Sequence, residues 1–213
     1  MSPAVRSLAG MGLLSNGLVL GGRKDKTKAL TPCAPALPSR LEVRSGDGAL
    51  ELAVKPGAQP SAFDLCDAGA QRIGGLAVQP DGVTLSDGAG APKLKLVRSP
   101  PLDVSGDGPR GQRLRVHLDG VEQRVLKPDG VPFGAVTPKP GGANVHNPAS
   151  QPVARVEPRG DDQVIAAADG KTVRHVVPAA SSTAAAAFAI EGLTIDEQLA
   201  LYWLWASAKP DSK

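Results

Sequence analysis

The sequence predicts a mainly β protein: an antiparallel meander or closed barrel of short strands, with one buried hydrophobic α-helix at the C-terminus. Three observations carry that expectation. Gly (25) and Pro (20) supply 45 of the 213 residues, so the chain must turn often. Between the turns run short stretches that alternate apolar with polar residues or are rich in β-branched ones. The last apolar run follows a helix start signal.

Met1–Gly22 has the order of a secretory leader. Arg6 is a short basic region, Leu8–Leu14 and Gly17–Leu20 are apolar, and Gly21-Gly22 are small. The apolar stretch is too short and too Gly-rich for a membrane span. Leu20-Gly21-Gly22 matches the residues before a lipid-attachment cysteine, but Arg23 follows, so lipidation is not expected there. Residues 23–39 then form a Pro-rich tether, because Leu30–Ser39 (LTPCAPALPS) holds three prolines and suits neither a helix interior nor a central strand.

The domain proper is expected over 40–209. Leu41–Arg44, Leu50–Val54, Ile73–Val78, Val83–Leu85, Lys93–Val97 and Leu114–Leu118 read as strands, broken by Gly46-Asp47-Gly48, Pro56-Gly57, Pro80-Asp81-Gly82, Asp87-Gly88 and Asp119-Gly120. Asp-Gly between such runs marks a hairpin, since the tight turn needs positive φ. Four units repeat a turn, a spacer and a small-x-Val-x-Pro strand, ending at Pro80, Pro138, Pro158 and Pro178, where proline should halt the strand. Their spacing is irregular, which reads as a hairpin repeat rather than a solenoid. Leu102–Gly111 reads as a loop, Ser181–Ala187 is ambiguous, and Phe188-Ala189-Ile190 reads as a last strand.

Thr194-Ile195-Asp196-Glu197 is a capping box, and Asp196 and Glu197 suit the positive end of a helix dipole. A helix over 194–208 follows, apolar on every face. Leu199, Tyr202, Trp203 and Trp205 are its expected core residues, since a helix without a polar face is buried all round.

Chemistry is sparse. Cys33 and Cys66 are too few for a structural zinc site, and they are expected to pair only if the protein is exported. His117, His146 and His175 stand 29 residues apart, a spacing that reflects hairpin length in the absence of matching acidic neighbours. No nucleophile elbow, zinc-protease or phosphate-loop motif occurs, and the Asp-rich turns lack EF-hand spacing. We therefore expect no catalytic, cofactor-binding or metal residues. Net charge is only +3 and aromatics are 3% of the chain, so a nucleic-acid partner is not expected.

Asp129–Pro138, Asp169–Pro178 and Phe188–Ala206 (FAIEGLTIDEQLALYWLWA) carry a resemblance to the tubby-like group, which includes phospholipid-scramblase-like and LURP-one-related proteins. The resemblance spans Ser61–Ala206 and implies a closed β barrel around a hydrophobic C-terminal helix. Proline-rich, aromatic-poor strands depart from that pattern, and no basic pocket transfers as a phosphoinositide site. Three functions follow as expectations. The first is a non-enzymatic binding or structural module of the bacterial-type envelope, periplasmic or outer, with a protein or lipid partner. The second is a cytoplasmic scramblase-like or tubby-like lipid binder. The third is an enzyme whose site is assembled from distant residues.

Overall fold

Fourteen antiparallel strands follow one another around a closed barrel in the computed structural model, which describes residues 32–33, 37–99, 103–109, 111–119, 121–178 and 181–207. They are β1 (Leu41–Ser45), β2 (Leu50–Pro56), β3 (Ala62–Cys66), β4 (Arg72–Gln79), β5 (Gly82–Asp87), β6 (Pro92–Ser99), β7 (Asp103–Gly108), β8 (Gly111–Asp119), β9 (Glu122–Leu126), β10 (Pro132–Lys139), β11 (Gly142–His146), β12 (Pro152–Arg159), β13 (Asp162–Ala167) and β14 (Thr172–Val177). Each pairs with its neighbours in sequence. The seam is β1 on β14, with Val43 opposite Val176. Closure leaves no unpaired edge. The leader over 1–22 and most of the tether lie outside the described residues.

Alternation decides what faces inward. Leu41 and Val43 on β1, Leu94 and Leu96 on β6, Leu114 and Val116 on β8 and Ile165 on β13 are buried in one core. The lumen is filled by the end of the chain. Helix α1 (Ser182–Ala185) and a 3-10 turn over Ala186–Ala189 run one way, and helix α2 (Ile195–Ala206) returns beside them. α1 starts near the β12–β13 turn, where Ser182 Oγ donates to Gln163 Oε1 at 2.7 Å. At the far end of this helical hairpin Gly192 lies against the Phe133 ring. α2 then runs back to where Arg98 Nη2 donates to the Leu204 carbonyl. The backbone N–H of Arg98 is bonded to Asp81 in the β4–β5 turn.

Seven of the hairpins meet at one end of the barrel, and each carries a bulge beside its turn. The unpaired residues are Glu51, Ile73, Lys93, Arg113, Phe133, Val153 and Val173. From Ile73 onward they lie 20 residues apart, so the hairpin repeat is regular where the sequence reading found it irregular. The turns share one construction. A residue with positive φ sits three before the bulge: Gly48, Ala70, Gly90, Gly130, Ser150 or Gly170. An Asx side chain accepts the next backbone N–H. Asp47, Asp129 and Asp169 do so from two residues back, at 2.9–3.3 Å. Asp67, Asp87 and Asn147 do so from four back, at 2.8–3.0 Å. The β7–β8 turn departs from this, with Gly111 at positive φ.

Gly130, at φ 85°, has open space where a Cβ would project, so glycine is chosen there for its backbone alone. Ala70 (φ 56°) and Ser150 (φ 60°) hold the same left-handed conformation with a side chain. Ala70→Gly and Ser150→Gly are each expected to raise stability by up to about 1 kcal/mol. A later urea midpoint at unchanged m-value checks it.

Three expectations are corrected. Leu102–Gly111 is not a loop: it contains β7, whose Gly106 faces the lumen where a Cβ would stand 2.6 Å from Leu96. Phe188-Ala189-Ile190 is not a strand: Phe188 and Ala189 close the 3-10 turn and only Ile190 is extended. Pro138 and Pro158 do not halt β10 and β12, which run one residue further. The C-terminal helix spans Ile195–Ala206 with Thr194 as its N-cap.

Candidate functional site

Two places bring chemistry-bearing side chains together: a clasp on the outer wall and the barrel mouth at the bulged end. Cys33 and Cys66 are joined by a disulfide, with Cα atoms 6.2 Å apart. Cys66 ends β3 on its outward face, and Cys33 comes from the segment preceding the barrel. Backbone contacts seat that segment: the Cys33 N–H donates to Ala70 at 2.9 Å, and Pro32 bridges to Gln71. Both cysteines are buried, packing with Ala53 and the half-buried Leu50 in a small apolar cluster separate from the lumen.

At the mouth, an open groove of about 340 Å³ is lined by Lys93, Leu94, Pro109, Arg113, Thr194, Asp196 and Glu197. Two bulge residues supply its cations. Lys93 Nζ pairs with Asp196, and Arg113 Nη2 lies 3.1 Å from Glu197. Glu197 is also the capping-box acid. Its Oε2 accepts the Thr194 N–H at 2.8 Å and the Thr194 hydroxyl at 3.0 Å, while the Glu197 N–H donates back to Thr194 Oγ1. Every carboxylate in the groove therefore holds an internal partner, and the arrangement acts as a tie from helix to wall. Arg174 makes a third tie: its Nη1 donates to the Phe188 carbonyl at 2.7 Å, and its Nε to Glu51 at 2.9 Å.

The expected core residues of α2 divide. Leu199, Tyr202 and Trp205 are buried, whereas Trp203 is only half-buried and stacks on Phe63 with ring centroids 5.0 Å apart. α2 thus meets the wall through one face that is not sealed. The three histidines lie on β8, β11 and β14, three strands apart, so their spacing is about one and a half hairpin repeats. Among the described residues no group of three or more His, Cys, Asp or Glu could hold a metal ion. Nor is any described helix long and apolar enough to cross a membrane.

Sequence reasoning missed the cations that tie the helices: Lys93, Arg98, Arg113 and Arg174. Their signal is the 20-residue period of the bulges, which places Lys93 and Arg113 at equivalent positions. On the outer wall, hydrogen bonding from Arg124 holds the Glu122 carboxyl below its ordinary range. For Glu42 burial pushes upward, but hydrogen bonds from Arg44 and Ser39 and the charges of Arg44 and Lys55 outweigh it, and the net direction is down.

These features define a closed antiparallel barrel filled by its own C-terminal helices. One solved structure, the X-ray structure of a protein from Arabidopsis thaliana, is similar to 72% of this chain and 90% of its own, at 14% identity and a TM-score of 0.37. No family model matches the chain, and no curated protein matches it in sequence.

Proposed function

We propose that this chain is an exported, non-enzymatic binding or structural module of the bacterial-type cell envelope, periplasmic or outer, built on a tubby-like barrel. The observation that carries the proposal is the Cys33–Cys66 clasp, which links the segment after the leader to the barrel wall. Disulfides of this structural kind persist in oxidising compartments and are rare in a reducing cytosol. The leader-like order of Met1–Gly22 points the same way.

The filled lumen bears on the mode of recognition. Leu199, Leu201, Tyr202 and Leu204 occupy the space that a barrel of this size would otherwise offer to a ligand. The closed wall also offers no strand for a partner to extend. A protein or lipid surface is then met by side chains of the outer wall and the turns. In this reading no residue is assigned a catalytic, cofactor or metal role.

The test is the intact mass of the protein purified from its native host without reductant. The expected result is a chain shorter by the leader and lighter by the two hydrogens of a disulfide. A full-length mass with two free thiols on the folded protein would overturn the reading. It would place the chain in the cytoplasm and make Leu8–Leu20 a membrane-touching segment of a lipid binder.

A further inference from the structure

We infer that the barrel wall and the helical hairpin inside it are one folding unit, so the wall cannot close until residues 182–206 are available. The inference does not depend on the compartment assigned above.

Neither part has a core of its own. Among the described residues the strands line the lumen with Leu, Val and Ile, and β7 adds Gly106. A fourteen-strand barrel is wider than side chains alone can fill, since about eight strands already suffice for a filled interior. An empty wall would hold water against an apolar surface, which is unfavourable throughout its area. The hairpin is no better placed alone. α1 has four residues and α2 twelve, at or below the length where isolated helices persist in water. α2 is apolar on nearly every side.

The polar ties enforce the same coupling. Arg98 and Arg174 reach from the wall to the carbonyls of Leu204 and Phe188. Withdrawing the hairpin takes the carbonyl acceptor from each guanidinium, leaving Arg174 its pair with Glu51 on the wall, and leaves both carbonyls without those donors. The order of synthesis then matters. The strands leave the ribosome first and remain unable to complete the barrel until residues 182–206 follow.

Native-state hydrogen exchange on the full chain, read by mass spectrometry, tests this. Slow amides of α2 and of strands far apart around the wall (β2, β5, β10 and β13) are expected to share one opening free energy. Leu201→Ala, which removes a fully buried side chain of α2, is expected to accelerate all of them by one common factor, on the order of a hundredfold. If that variant does not fold, Leu201→Val gives the same comparison with a smaller factor. The inference is overturned if α2 exchanges faster than the wall, or if either variant speeds the hairpin while the strands keep their protection.

Discussion

Phe188→Ala lowers the unfolding free energy by about 3–5 kcal/mol, the largest loss expected from a single side chain here. Phe188 is 2% exposed and belongs to the 3-10 turn within the lumen core. Its ring lies 5.6 Å from that of Tyr202, at the contact between the two arms of the helical hairpin. The surroundings cannot collapse into the space it leaves, because a hydrogen-bonded wall encircles them. The residual cavity therefore adds to the lost transfer energy. Arg174 also constrains the site by holding the Phe188 carbonyl, so the backbone cannot shift to refill the gap. Urea denaturation followed by the fluorescence of Trp203 and Trp205 measures the change. Phe188→Leu retains most of the volume and should lose much less. An equal loss for both variants would mean that ring contacts, not volume, dominate.

Removing the clasp is the second large effect. Cys33 and Cys66 are 33 residues apart, and the loop they close contains β1, β2 and most of β3. Constraining a loop of that length in the unfolded chain contributes about 3–4 kcal/mol in the chain-entropy model. Cys33→Ala with Cys66→Ala should lose that amount under oxidising conditions while keeping the barrel signal, since the cluster it disturbs is separate from the lumen. Reductant should bring the parent protein down to the double variant and leave the variant unchanged. A parent whose unfolding midpoint ignores reductant would show that the two thiols are not bonded in the folded protein.

Much of the fold was legible because local rules were obeyed. Asp-Gly pairs marked turns that do adopt positive φ at Gly48, Gly130 and Gly170. The capping box at Thr194–Glu197 marked the start of α2, and both of its reciprocal bonds form. What failed did so where tertiary space overrode local preference. Gly106, Gly108 and Pro109 read as loop because glycine weakens a strand, yet the lumen leaves no room for a side chain at Gly106. Phe188-Ala189-Ile190 read as a strand because a short apolar run carries no period that separates helix from strand. The regular repeat stayed hidden for two reasons. The Asx residue that secures six of the seven turns occupies either of two positions, and the bulge residues have no shared chemistry, from Glu51 through Lys93 to Phe133. The mouth of the barrel was correspondingly illegible. Lys93 and Arg113 meet their partners on α2, and Arg174 meets Glu51 across the seam, only once the barrel closes; the 20-residue period aligns Lys93 with Arg113 but does not name those partners.

The position of the clasp also sets a mechanical path. The chain enters at the bulged end beside Ala70, while α2 finishes at the opposite end, near Arg98. Tension applied through the N-terminal segment would reach the barrel at Cys66 on β3 and pass down the wall as shear. Without the disulfide the same pull would arrive at Leu41, the first residue of β1, and peel that strand from β14 at the seam, where the first and last strands pair. The bond thus moves the load from the seam to the interior of the sheet, where many backbone hydrogen bonds must break together before the wall gives way.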